Sequence, residues 1–390
     1  MPITLLLVDD SEIIRFLFSK SLERDPELRV VGIAKNGLEA IEQARKLKPD
    51  LVLLDIDMPE MSGLAALPKI RAASRRSKVF MVTAGTPNNA IASFTALGLG
   101  ASEFILKPQP GESRKPAEFI DELREKIKAV CATQPKCIDP VAPLPRPPEI
   151  EVQAERVLTP TPIKKLAPIT AMKRGDLAEP MPEIRVESFS LQPGKAQQIH
   201  ALAIASSTGG PEALVRIFSD LNGNLSHIPI FITQHMPPIF TTAFANHIRM
   251  HVNRPCKEAE HDETVTPGMV YLAPGGFHML VKKQGERVVI KLSEHAPVNS
   301  CRPSADPMFA SISDVYGENM LALVLTGIGN DGANGGRTVF DNGGSVIAQD
   351  RASSVVYGMP KCVAALGVCE AILPLNEISD QLLRRCSTLH

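Results

Sequence analysis

Short apolar runs that alternate with amphipathic stretches set the strongest limit on how this 390-residue chain can fold. Between residues 1 and 130 the runs are Ile3 to Val8, Arg29 to Ala34, Leu51 to Leu54, Lys78 to Val82 and Glu103 to Leu106. The stretches between them repeat apolar residues at helical spacing, as in Ile13, Ile14, Leu17 and Leu22, or Leu38, Ile41, Ala44 and Leu47. Strand and helix alternating over short connections predict a doubly wound parallel sheet of five strands. The alternation stops between residues 131 and 198, where twelve of the chain's 33 prolines fall and Phe189 is the sole aromatic. Such a stretch buries too little apolar surface to fold and is expected to be a semi-extended, flexible linker. From 199 to 390 the pattern resumes, and a second, larger α/β domain of the same doubly wound class is expected.

The residues that follow each run carry the chemistry. In the first domain these are Asp9 and Asp10, then Asp55, Thr83 and Lys107, all assigned to one edge of the predicted sheet. Three carboxylates gathered there repel one another unless a cation sits among them, and an all-oxygen set points to Mg²⁺. With the metal held by Asp9, Asp10 and Asp55, the Asp55 carboxylate can attack a phosphoryl group while Thr83 and Lys107 hold the product's oxygens.

In the second domain, Ile199 to Pro211 reads as a buried strand that stops abruptly in Ser206-Ser207-Thr208-Gly209-Gly210 before a helix. The sequence around Ser207 has the form of a nucleophile elbow with alanine in place of the first glycine. The run Ile228 to Gln234 delivers His235, and Leu321 to Thr326 leads to Asp331. A serine, a histidine and an aspartate therefore follow three buried strands at the edge where catalytic groups of open α/β sheets converge. Ser207 is inert at its own pKa, His235 can take its proton, and Asp331 can orient and stabilise the imidazolium. The segment His278 to Lys283 with Glu286 to Leu292 reads as a hairpin around Gln284-Gly285. Arg302 and His278 are further candidates for substrate contact, equally readable as a loop anchor and a core histidine.

Composition removes other classes. A formal net charge of -1 gives no electrostatic case for nucleic acid, and 4% aromatic residues leave no stacking platform for single strands. The apolar run Ile3 to Val8 lacks a basic leader and is too short for a signal peptide, and no run is long enough to insert in a membrane, so a cytoplasmic location is expected. Seven cysteines without C-x-x-C spacing predict reduced thiols.

The motifs D-D-S, L-L-D-I-D-M-P-E-M-S-G, V-T-A and L-K-P resemble the response-regulator receiver domain over its whole length. That resemblance implies that Asp55 accepts phosphate from a histidine kinase, with Asp9 and Asp10 on Mg²⁺ and Thr83 and Lys107 reading the phosphate. Phe104 stands at the switch position where some members have tyrosine. The second half, through S-T-G-G, Q-H-M-P, Y-L-A-P-G-G-x-H, C-R-P-S-x-D, L-T-G-x-G-x-D-G and S-S-V-V-Y-G-M-P, resembles the catalytic domain of the chemotaxis protein-glutamate methylesterase family. The implied activity is hydrolysis of glutamyl methyl esters on methyl-accepting chemoreceptors, with deamidation of receptor glutamine as a second activity and no cofactor for the ester chemistry. Ser207, His235 and Asp331 match the family triad, with Thr208, Ile328 and Arg302 as oxyanion or substrate contacts. The implied partners are the chemoreceptors and a chemotaxis histidine kinase. This chain departs at Ala205-Ser206, where members commonly read glycine-alanine, and at Ile328, usually methionine.

Two rivals belong to other classes. A response regulator with a non-catalytic, partner-binding or DNA-binding output would need a recognition element that the second half does not display. A phosphate-binding module built on S-S-T-G-G-P lacks the lysine and spacing of a P-loop.

Overall fold

The structure, a computed structural model, describes residues 1–108, 116–132, 189–194 and 197–386. Most of the proline-rich stretch predicted as a linker lies outside the described residues.

The first domain runs β1 (Ile3–Val8), α1 (Glu12–Leu22), β2 (Leu28–Ala34), α2 (Gly37–Leu47), β3 (Leu51–Asp55), α3 (Gly63–Ala73), β4 (Lys78–Thr83), α4 (Pro87–Gly98), β5 (Glu103–Leu106) and α5 (Pro116–Ala132). All its strands pair in parallel in the order β2-β1-β3-β4-β5. Helices cover both faces, so β3 is buried along its whole length and reads as an unbroken apolar run. Helices α1 to α4 each start at a side-chain cap: Ser11, Asn36, Ser62 and Thr86 accept from the backbone N–H three residues on. Each such cap contributes about 1 kcal/mol.

The second domain opens with β6 (Ala201–Ser206), α6 (Gly210–Leu221), β7 (Ile230–Gln234), α7 (Phe240–Val252), β8 (Cys256–Glu258) and β9 (Val270–Leu272). The hairpin β10 (His278–Gln284) and β11 (Arg287–Ser293) forms its own two-stranded antiparallel sheet, as the sequence predicts. Then follow α8 (Ala305–Tyr316), β12 (Met320–Val324), α9 (Ala333–Asp341), β13 (Ser345–Gln349), α10 (Met359–Ala365), β14 (Ala371–Leu373) and α11 (Leu375–Cys386). Seven strands pair in parallel in the order β14-β13-β12-β6-β7-β9-β8. Strand β6 buries Leu202 and Ile204 in one apolar cluster and Ala201, Ala203 and Ala205 in another. The small face lets the layer on that side approach closely, and the Ala205 methyl lies in this cluster with Phe309 and Val324.

The strand order reverses at β1/β3 in the first sheet and at β6/β12 in the second. Such switch points open a crevice beyond the carboxyl ends of the strands. Both predicted sites fall there.

The two α/β domains form one compact unit. Helix α4 packs on α7, with Phe94 stacked on Phe244 at 5.2 Å between centroids and Phe104 stacked on Phe240 at 5.0 Å. At the ends of the stretch read as linker, α5 continues to Ala132, and Phe189 packs against the second domain's core. Among the described residues no helix is long and apolar enough to cross a membrane.

Candidate active site

Strand register fixes the neighbourhood of Ser207. Ser206 pairs with Gln234 across β6 and β7, so the next residues, Ser207 and His235, leave adjacent strands side by side. On the other flank Ser207 N donates to Thr326 O at 3.0 Å. The two serines are not equivalent. Ser206 is fully buried and its hydroxyl donates to Gln234 Oε1 at 2.6 Å, whereas Ser207 is partly exposed at the sheet edge.

The turn differs from the strained elbow that the sequence predicts. Its left-handed residue is Gly209 (φ 78), and Ser207 is not among the residues with positive φ. Glycine takes that conformation without a Cβ penalty, so the bend is made two residues later. A second glycine serves close approach: a Cβ at Gly327 would lie 2.8 Å from Ser207 Cβ and 2.3 Å from Met359 Sδ. Gly327 N donates to Val356 O, and Met359 N to Gly327 O, which ties the T-G-I-G and V-V-Y-G-M-P segments together beside Ser207.

His235 Nε2 donates to Asp331 Oδ2 at 2.7 Å. With that proton committed, Nδ1 is the acceptor nitrogen, and Cys301 Sγ faces it at 3.5 Å. Burial opposes a charge on the ring, but the Asp331 bond and the Cys301 contact outweigh it, so the pKa is raised.

Asp331 is buried at the start of α8, where it accepts from Ala305 N (2.6 Å), Asp306 N (3.2 Å), Ser304 Oγ (2.6 Å) and Asn299 Nδ2 (3.0 Å). Burial alone would raise its pKa, but the His235 bond and these donors hold it down at about 2. Oriented N–H groups at a helix N-terminus stabilise an anion.

His278 is buried, and both its nitrogens are spent on backbone: Nδ1 accepts from Ser304 N (3.2 Å) and Nε2 donates to Ala296 O (3.1 Å). Burial lowers its pKa and favours this neutral tautomer. It props the segment that cradles Asp331. Arg302 is exposed, and its Nη1 donates to Glu294 O (2.8 Å) and His295 O (3.1 Å). The Thr208 side chain is buried, and its hydroxyl has no hydrogen-bond partner among the described residues. Ile328 is partly buried at the same edge and packs against the apolar cluster that contains Phe18 and Phe119 of the first domain.

In the first domain, ligand atoms of Asp9, Asp10 and Asp55 lie within 4.8 Å of one another. Lys107 Nζ bridges Asp9 Oδ2 (2.8 Å) and Asp55 Oδ2 (2.9 Å). Burial pushes Asp55 up to about 6 despite Lys107. Thr83 is fully buried at the end of β4, next to this cluster in the sheet. The acidic oxygens and exposed Asp10 fit a hard divalent cation.

Sequence reasoning missed Asn299, Ser304 and Asp306 as partners of Asp331. Cys301 appeared in a motif without a role. A usable signal was present: Asn and Ser are enriched at tight turns and helix caps, and both precede a helix start here.

Comparison with known families and proteins gives the following. The family model described as CheB methylesterase matches residues 202–382, and that described as response regulator receiver domain matches residues 5–115. A protein from Rhodopseudomonas palustris (strain BisB5), named protein-glutamate methylesterase/protein-glutamine glutaminase, is 39% identical over 384 residues, covering 98% of this chain and 94% of the relative. A protein of that name with the suffix 1, from Rhodospirillum rubrum, is 38% identical over 385 residues, with 98% and 95% covered. Among solved structures, the CheB methylesterase catalytic domain of Thermotoga maritima is similar at 38% identity, covering 48% of this chain and 99% of that one, with a TM-score of 0.47.

Proposed function

Because this chain belongs to the CheB methylesterase family, with a response regulator receiver domain in front, we propose that it hydrolyses glutamyl methyl esters on chemoreceptors through Ser207, His235 and Asp331. The observation that carries the residue assignment is the 2.7 Å bond between His235 and Asp331, with Ser207 leaving the adjacent strand one register step beyond Ser206.

Ser207 Oγ attacks the ester carbonyl as His235 Nδ1 takes its proton. The imidazolium returns that proton to the departing methoxide, so methanol leaves and an acyl-serine remains. Water then attacks, again through His235, and the product is a free glutamate carboxylate with Ser207 restored. Asp331 keeps the ring in the tautomer with Nε2–H and stabilises the imidazolium. The thiol contact at Nδ1 is weak and yields to the hydroxyl. The same sequence on a glutaminyl side chain releases ammonia, which accounts for the proposed deamidase activity. Helix α6 begins without a side-chain cap. Gly210 N is bonded to Ser207 O and Pro211 has no N–H, so Ile328 N–H and the Thr208 hydroxyl are the donors we assign to the tetrahedral oxygen. Arg302 is the proposed contact for the substrate around the ester.

For control, we assign Asp55 as the residue phosphorylated by a chemotaxis histidine kinase. Asp9, Asp10 and Asp55 would hold Mg²⁺, which when bound neutralises the charge of the phosphoryl oxygens. Thr83 and Lys107 receive the phosphate, and Phe104, stacked on Phe240, passes the change to α7. In the unphosphorylated chain this packing restrains the loop between His235 and α7.

The test is methanol release from methylated receptor, with and without a phosphodonor. Ser207→Ala abolishes measurable turnover, the loss reaching about 10⁶ in triads of this type, while Ser206→Ala retains it. Parent-level turnover in Ser207→Ala ends the assignment.

A further inference from the structure

The segment ahead of α8 contains two consecutive non-glycine residues in the left-handed region, Asn299 (φ 51) and Ser300 (φ 62). Val298 N donates to Cys301 O at 3.1 Å and Cys301 N to Val298 O at 2.9 Å, so the four residues close a tight two-residue turn. Positive φ at both central positions is the mirror-image turn that normally calls for Asn-Gly, and serine at the second position makes it a strained one. The turn sends its two flanking groups to the same place. Asn299 Nδ2 donates to Asp331 Oδ1 at 3.0 Å and to Asp306 Oδ2 at 2.8 Å, while Cys301 Sγ lies at 3.5 Å from His235 Nδ1.

Asp331 and Asp306 are both buried, 1% and 7% exposed, and each raises the cost of charging the other. A neutral amide nitrogen with two hydrogens can donate to both at once. Asp306 is also held by Gly335 N at 2.8 Å and by the Gly332 N–H. The titratable groups around Asp331 are His235 after β7, Asp306 on α8, His278 on β10 and Cys301 on the turn.

We propose that Asn299 is a positioning residue for ester hydrolysis: it bridges Asp331 and Asp306 so that both carboxylates remain side by side and Asp331 Oδ2 stays on His235. Asn299 touches no reacting atom and acts through Asp331. The proposal rests on the reading of Ser207, His235 and Asp331 as the triad. Without the bridge Asp331, short of one donor, becomes more basic towards the imidazolium, which moves the acid limb of the rate profile to higher pH.

Asn299→Gly separates the amide from the turn, because glycine keeps the left-handed backbone. Asn299→Asp keeps the size but replaces the donor with an acceptor. Both are assayed as the full chain with a phosphodonor, across pH, beside Ser207→Ala. Expected for Asn299→Gly is a fall in kcat of about 10²-fold, the cost of misplacing a catalytic group by ~1 Å, with KM little changed and the acid limb displaced upward. Asn299→Asp falls further. Parent-level kcat and pH profile in Asn299→Gly overturn the proposal, as does a fall in kcat with an unmoved acid limb and a lowered Tm, which marks packing alone. If Ser207→Ala retains parent turnover, the triad reading fails and takes this proposal with it; an inactive Ser207→Ala beside a parental Asn299→Gly removes only the role of Asn299.

Discussion

Asp55 and Asp331 are both buried aspartates at the carboxyl edge of a parallel sheet, each beside a topological switch point. They are held in opposite ways. Asp55 faces the Lys107 ammonium, which it shares with Asp9, and takes one backbone bond from Ile56 N. Burial still dominates and its pKa is about 6. Among the described residues no ammonium pairs with Asp331. Burial works against it as well, yet the imidazole and the hydroxyl, amide and backbone donors before and within α8 hold it at about 2. Several short, directed bonds thus stabilise a buried carboxylate better than one shared cation does. The difference suits two tasks. Under the roles proposed above, Asp331 would have to remain charged and still through every turnover, while Asp55 would be a reactive nucleophile whose local charge changes with phosphorylation.

The sharpest way to break the comparison is Asp331→Asn. The side chain keeps its size, but the donors from Ser304, Asp306 N and Asn299 claim its lone oxygen and turn the amide nitrogen towards His235. A donor there forces the ring into the wrong tautomer. The expected loss in kcat is about 10⁴-fold, measured as methanol release at saturating methylated receptor. A loss below tenfold would mean that the buried cradle is a packing feature unrelated to turnover.

A smaller effect tests how the two regions speak to each other. Phe94 is 2% exposed and touches Phe104 in its own domain and Phe240, Phe244 and His247 in the other. Phe94→Ala removes about 3 kcal/mol or more of buried contact, a factor above 10² in the docking equilibrium. Methanol release without a phosphodonor is expected to rise towards the phosphorylated rate. Unchanged release would locate control elsewhere than at the α4–α7 contact.

Much of this arrangement was legible before any coordinates. The strand runs were legible because helices cover both sheet faces, so each strand reads as unbroken apolar sequence. Boundaries moved by one or two residues: β7 starts at Ile230 instead of Ile228, and β12 ends at Val324 instead of Thr326. Ser207, His235 and Asp55 could be picked out as candidates because they stand just after those runs, and Asp331 because it lies in the short loop that follows its run. The cradle of Asp331 was not. Asn299, Ser304 and Asp306 come from a strained turn and a helix start that no periodicity marks, and they reach Asp331 only through the fold. The position of the bend was misjudged for a similar reason, since S-S-T-G-G does not say which residue takes positive φ. His278 and Arg302 could each be read two ways from sequence; the hydrogen bonds show both engaged with backbone carbonyls, and His278 also holds a backbone N–H.

The mildest test returns to Asp55 and asks whether its charge is a cost to the fold. Its pKa is 3.8 in an unfolded chain and about 6 in the folded one, so the folded state binds the additional proton between those values. The contribution of Asp55 to stability therefore falls as pH rises from about 4 to about 6 and levels off above, once the carboxyl is ionised in both states. Asp55→Asn is uncharged throughout and escapes this loss. Without added metal, the variant is expected to be more stable than the parent at pH 7 by on the order of 1–3 kcal/mol, given 1.36 kcal/mol per pKa unit, with the advantage shrinking below pH 6 and gone near pH 4. Urea melts followed across that range give the answer directly. An advantage that persists at pH 4 would assign it to shape instead of charge. Destabilisation at pH 7 would mean that the Lys107 bridge outweighs burial, and that Asp55, like Asp331, is held firmly by its partners.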